Sequence, residues 1–255
     1  MISAGSASAR LNDARMPEPP LVEFTDVEKS WGGPAPLRIA RLRIGSGDRF
    51  VIRGLDAAAA ETLVNLITGA SLPDTGEVKT AGQNTRTIAT DTDWLVSLDR
   101  FGIVTPRALL IGALPIAANL AMPLTLSIDP LAPEIQSRVE TLARDAGLLL
   151  ERLASPASTL SPVEVVRTHI ARALALGPKM LIVEHPTAGL PPPEAIAIAH
   201  TIRTIVSRDA LSLLALSNDE AFAGAIGAAR LRYDPTTGGL SMRVADRLRS
   251  MFTAS

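Results

Sequence analysis

The groups able to do chemistry in this chain are few. Its 255 residues contain no cysteine, which excludes a thiolate nucleophile, a thiolate metal site and a disulfide. Histidine occurs three times, at His169, His185 and His200, too sparsely for a histidine-rich metal centre. No Ser/His/Asp triad, paired-carboxylate site or metal-ligand spacing offers an enzyme. The stretch 54–69, GLDAAAAETLVNLITG, follows an apolar strand, and its four successive alanines favour plain helix.

The elements that must position these residues alternate between strand and helix. The stretches 21–27 (LVEFTDV) and 37–44 (LRIARLRI) alternate as half-buried strands. With the short apolar run 49–53 (RFVIR), they suggest an antiparallel N-terminal β layer. Gly54 breaks that run, Asp56 caps a helix over 57–68, and Gly69 stops it. A second amphipathic helix is expected over 134–150. Ser161, followed by Pro162 and by Glu164 three residues on, forms a capping box for a third. Gly177-Pro178 closes that helix. MLIV at 180–183 reads as a strand buried on both faces. Pro191–Pro193 opens another helix, 211–216 (LSLLAL) is a second buried strand, and 230–233 with 240–244 form a terminal hairpin. The pattern predicts an α/β fold with a mostly parallel sheet and an antiparallel flank.

Composition supports a globular chain: 47% hydrophobic and 20% charged. Aromatics are only 3%, too few for base-stacking platforms. Lys and Arg total 25 against 26 Asp and Glu, so no basic field points to nucleic acid. Residues 1–20 lack an apolar core and are read as a disordered leader, not a secretory signal. The uncharged stretch 108–126 (ALLIGALPIAANLAMPLTL) approaches the length of a membrane span, but Pro115, Pro123 and Asn119 argue against one. A buried strand-loop-helix passage, or an apolar surface that meets another protein, fits it better.

Three stretches in register resemble the nucleotide-binding subunits of ABC transporters. They are 54–69; 159–190, TLSPVEVVRTHIARALALGPKMLIVEHPTAGL; and 217–223, SNDEAFA. The family reads GxxGxGK[ST]TLLNLIxG, then LSGGQ with a helix ending ARAL and an apolar strand before DEPTAGLD, then THDxxxA. The resemblance covers about residues 21 to 233. It implies a P-loop NTPase-like α/β fold with a smaller helical subdomain at about 107–176. The chain is therefore read as a single nucleotide-binding domain over 21–240 with a C-terminal tail at 241–255.

The resemblance also shows which positions have changed. Gly54 is kept, the loop glycines fall on Ala57 and Ala59, the lysine on Ala60 and the hydroxyl on Glu61, with Thr62 following. Asp56 and Glu61 place negative charge near a bound phosphate, where each like-charge pair costs ~3 kcal/mol at ~5 Å and an effective dielectric of about 20. Glu184 replaces the Mg²⁺-organising Asp, His185 the catalytic Glu, and Asn218 the switch His. The family's coupling Gln falls at Thr105 or Pro106, and the Asp after GL is Pro191. Ser161 keeps the signature serine, but its glycines are Pro162 and Val163, and proline offers no N–H. Trp31 corresponds to the adenine-stacking aromatic, and a structural role serves it equally well.

Losing several preorganised contacts, each worth ~3–4 kcal/mol of transition-state stabilisation, would take hydrolysis below a useful rate. The expectation is a degenerate ABC subunit: a pseudo-ATPase with no tightly held cofactor, weak Mg–ATP binding left open, and Glu184 as the sole candidate metal contact. The resemblance implies partners of two kinds. One is a transmembrane permease subunit docked on 108–126; the other is a second nucleotide-binding subunit, as homodimer or heterodimer. The implied place is the cytoplasm, peripheral to the inner face of the membrane. Two alternatives stand beside this reading: an ATP-binding ABC ATPase energising export or lipid handling, with nucleotide held by Glu184, Trp31 and helix N–H groups, and a soluble scaffold with no membrane partner. The passage 119–126, NLAMPLTL, resembles one in family members that serve substrate-extracting or lipid-handling exporters.

Overall fold

A computed structural model describes residues 18–88 and 90–242. Residues 1–17 of the expected leader and 243–255 of the expected tail lie outside the described residues. The elements run β1 (Val22–Lys29), β2 (Leu37–Ile44), β3 (Arg49–Arg53), α1 (Ala57–Thr68), β4 (Thr75–Thr80), β5 (Gln83–Asn84), α2 (Asp91–Leu98) and β6 (Phe101–Val104). Then come α3 (Ile116–Ala121), α4 (Pro133–Asp145), α5 (Pro162–Ala173), β7 (Met180–Glu184) and α6 (Pro192–Arg208). The last are β8 (Ser212–Leu216), α7 (Glu220–Ala225), β9 (Ala229–Asp234) and β10 (Gly239–Met242).

One ten-stranded sheet orders these strands β5-β4-β1-β2-β10-β9-β3-β8-β7-β6. From β9 to β6 every neighbouring pair is parallel. From β5 to β2 every pair is antiparallel. β10 joins the halves, antiparallel to β9 and touching β2 at Gly239↔Arg38. One expectation is corrected here. β3 does not belong to the antiparallel layer but sits inside the parallel half, between β8 and β9. Its short apolar run suits a strand buried on both faces, and the place it would have taken is filled by β4.

The parallel strands are apolar throughout because both faces are covered. On one face Val51, Leu181, Val183, Leu213 and Ala215 pack against α3 to α6. On the other, Ile52, Met180, Ile182, Leu214 and Leu216 pack against α1 and the antiparallel strands. Adjacent residues of one strand thus serve opposite cores, as the two-residue side-chain period requires.

The helix boundaries follow local chemistry. α1 begins where the Asp56 carboxylate accepts from the Ala59 N–H at 2.8 Å and ends at Gly69 in the left-handed region, φ 74. α5 has the full capping box between Ser161 and Glu164. The helix expected over 134–150 is shorter: α4 stops at Asp145, and Gly147 (φ 77) turns the chain. Leu148, beyond it, is nonetheless buried. α3, α4 and α5 all lie between β6 and β7, packed on one another.

Candidate functional site

Parallel pairing sets up the site. β6 and β7 run in register with Val104 opposite Val183, so the loop leaving β6 passes the residue that ends β7, Glu184. β7 and β8 are in register with Glu184 opposite Leu216, which brings Asn218 to the end of β3. The carboxyl ends of β3, β6, β7 and β8 therefore meet beside the start of α1, the place where open α/β sheets take ligands.

Glu184 is 1% exposed. Arg107 donates to both of its oxygens, Nη1 to Oε1 at 2.5 Å and Nη2 to Oε2 at 2.8 Å. The same guanidinium stands 3.5 Å from the Glu61 carboxylate. One arginine thereby bridges β7 and α1 in a fork-to-carboxylate geometry. Sequence reasoning passed over Arg107. Nothing in TPR marks it, and its partner lies 77 residues away.

The other positions are occupied by local bonds. Asn218 accepts from the Gly54 N–H at 2.6 Å and donates to the Leu55 carbonyl at 2.8 Å, so both ends of its amide tie down the loop. The Thr62 hydroxyl donates to the Ala58 carbonyl at 2.8 Å, within its own helix. Ala59 and Ala60 are fully buried, their methyl groups facing the core. Gly54 adopts φ +95, and a Cβ there would stand 2.3 Å from the Tyr233 carbonyl oxygen. The glycine is thus demanded by β9 packing whether or not phosphate is ever bound.

His185 takes a left-handed backbone, φ 42, and its N–H donates to the Leu216 carbonyl at 2.8 Å. Its Nε2 is buried without a hydrogen-bond partner among the described residues. The structure thus joins Gly54, Glu61, Glu184 and Asn218 around one strand-end cluster, with Ala60, Thr62 and His185 adjacent in the chain. It does not bring Trp31 or Ser161 into that bonded cluster. Trp31 donates from Nε1 to the Ala35 carbonyl at 3.0 Å and lies over Gly33, where a Cβ would overlap the ring at 2.1 Å. Ser161 is engaged with Glu164, whose carboxyl is held below its ordinary range by the Ser161 backbone N–H and further by Arg152. Among the described residues no group of three or more Asp, Glu or His is placed to hold a metal ion.

The stretch 108–126 forms no strand. Isolated turns lead into α3, which buries Ile116, Leu120 and Ala121, while Leu109 and Leu126 stand 84% and 100% exposed. Asn119 is fully buried: its oxygen accepts from the Ile111 N–H at 2.8 Å and its amide donates to the Ile111 and Pro115 carbonyls. Asn119 is therefore explained by this turn. No helix among the described residues is long and apolar enough to cross a membrane.

The family model described as "ABC transporter" matches residues 37–188, more than half of the chain. A methionine import ATP-binding protein, MetN, from Brucella abortus (strain 2308) is 30% identical over 201 residues, 78% of this chain and 53% of its own length. MetN 2 from Paraburkholderia xenovorans (strain LB400) is 32% identical over 206 residues, 78% of this chain and 52% of its own. The chain spans about half the length of the curated relatives it matches. Among solved structures, cbiO1 from Clostridium perfringens, part of the ABC transporter complex cbiONQ, superposes with TM-score 0.75 at 18% identity, covering 92% of each chain. The ATP-binding cassette MJ0796 bound to ADP and Pi gives TM-score 0.73 at 21% identity, covering 87% of this chain and 98% of that one. The family match over residues 37–188, the relatives at 30–32% identity and the shared fold agree: the chain belongs to the ABC transporter family, as an ATP-binding domain of its P-loop type.

Proposed function

We propose that this chain is an ABC subunit that no longer hydrolyses ATP and serves a transporter-like complex as a non-catalytic or regulatory partner. The observation that carries the reading is the Arg107–Glu184 pair. In the family's pattern the carboxylate at that position organises Mg²⁺. Here both of its oxygens already accept from a guanidinium, a cation where the metal would stand. The remaining residues fit Mg–ATP poorly. Ala60 supplies no ammonium, Thr62 bonds its own helix, and Asp56 occupies an N–H that would otherwise face phosphate. His185 in place of a carboxylate base and Pro162 in the signature loop weaken the site in both halves of a dimer.

Docking to a permease fits the α3–α4 region. A groove of about 580 Å³ there is lined by Leu114, Ala117, Ile128, Leu131 and Leu153, and Leu109 and Leu126 stand exposed on the same stretch. The segment 107–176 would act as the helical subdomain that meets the membrane partner, with the chain peripheral to the membrane and paired with itself or a second ATP-binding subunit. The relatives' names favour import over export, with a small polar solute such as an amino acid as cargo.

The test is a titration of the purified chain with a fluorescent ATP analogue and Mg²⁺, alongside phosphate release. No release above a no-protein control, together with binding that Mg²⁺ does not tighten, supports the proposal. Steady turnover abolished by Glu184→Gln would defeat it.

A further inference from the structure

A second polar cleft lies on the other side of β3 from α1. It encloses about 430 Å³ and is lined by Arg53, Gly54, Asn218, Glu220, Arg230, Leu231 and Arg232. That volume falls within the range of small-molecule sites, roughly 300–1,000 Å³. Register explains why three arginines converge there. β3 and β9 are parallel neighbours with Val51 opposite Arg230 and Arg53 opposite Arg232. Alternate residues of a strand share a face, so all three guanidinium groups project to the Val51 side, toward α7.

Such a juxtaposition is unfavourable in an isolated protein, because like charges directly opposite across a sheet repel. The compensation is slight. Glu220 is the one carboxylate lining the cleft; it pairs with Arg53 at 2.5 Å but its side chain is 67% exposed, where ion pairs contribute little. Arg230 donates one bond to the Ala223 carbonyl at 3.1 Å. Arg232 is exposed and makes no ion pair among the described residues. Each guanidinium has about five N–H donors in a planar fork suited to phosphate oxygens, so most donors around the cleft are free.

We propose that this cleft binds a small phosphate-bearing anion, a diphosphate or triphosphate, held by Arg53, Arg230 and Arg232. It adjoins the strand-end cluster and shares Gly54 and Asn218 with it, but its three arginines take no part in the Arg107–Glu184 pair, and it does not depend on whether that cluster hydrolyses ATP. Nothing in the matched motifs calls for these arginines. Arg53 precedes the loop, and Arg230 and Arg232 lie beyond the family match, which ends at residue 188.

The experiment is calorimetric titration of the full chain with inorganic pyrophosphate in low salt, with ATP in parallel without Mg²⁺. The variants are Arg232→Gln, Arg53→Gln and Arg41→Gln, an exposed arginine on β2. The expected result is saturable pyrophosphate binding, weakened roughly tenfold or more by Arg232→Gln and by Arg53→Gln, and unchanged by Arg41→Gln. ATP binding with the same dependence extends the site to nucleotides. Arg232 is exposed, so its substitution leaves the fold intact and keeps the test decisive if Arg53→Gln is unstable. The proposal is overturned if the wild-type chain does not bind pyrophosphate or if Arg232→Gln binds it as tightly. It is also overturned if Arg41→Gln weakens binding equally.

Discussion

Arg107 and Glu184 form a two-pronged ion pair at the strand ends, and Glu184 is the one carboxylate among the described residues that is fully buried. A buried charge is tolerated when its partner and hydrogen bonds are in place, and is costly when one side is removed. Removing Arg107 by Arg107→Ala should therefore lower unfolding free energy by about 2–4 kcal/mol. Glu184→Ala should cost less than its burial suggests, since the freed Arg107 is more than a third exposed and can turn to solvent. In urea denaturation of both single variants and the double variant, the coupling energy should be about 1 kcal/mol or more. Additive losses would mean that the pair does not hold β7 to the β6 loop.

Gly54 gives a second prediction. Gly54→Ala meets both a left-handed backbone and the Tyr233 carbonyl at 2.3 Å. A loss of about 2–3 kcal/mol is expected, read as a lower melting temperature in the absence of any nucleotide. An unchanged melting temperature would show that β9 does not dictate this residue.

His169 in α5 makes stability depend on pH. The residue is 7% exposed, and burial, helped by the charge of Arg172, pushes its pKa down to about 4 from 6.5. The unfolded chain takes up a proton near pH 6.5, whereas the folded chain does not until about pH 4. Stability is therefore fully present above 6.5 and is lost as the pH falls from there toward 4. His169→Phe should lose less stability than the wild type between pH 7.5 and 5, by about 2 kcal/mol. Parallel urea curves at the two pH values measure the difference.

The apolar residues of 108–126 divide by exposure. Leu109 is pinned through its carbonyl by Arg172 at 2.9 Å while its side chain is 84% exposed. Leu109→Ser and Leu126→Ser should leave stability within about 0.5 kcal/mol. Leu120→Ser, fully buried on the same stretch, should cost about 3 kcal/mol or more. If the exposed pair forms part of a docking surface, only the Leu109 and Leu126 variants keep a native melting curve while sedimenting less with membranes that carry the cognate permease.

Much of this molecule is written in neighbouring residues. The Asp56 and Ser161 caps, the stops at Gly69 and Gly177, and the buried runs at 180–183 and 211–216 depend on side chains within a few positions, so their spacing is enough. The resemblance motifs are legible for the same reason, each being a contiguous turn or strand end. What depends on pairing across the sheet is not legible. β3 joins the parallel half because β8 and β9, more than 150 residues later, accept it as a neighbour. Arg107 reaches Glu184 across 77 positions, and Arg53 meets Arg232 through strand register. Local sequence determined the capped helices and the apolar runs of β7 and β8, whereas β4 and β6 carry no comparable local mark. The tertiary structure alone decided which charges meet, because the free energy of a buried ion pair or an arginine cluster lies in distances that no local pattern encodes.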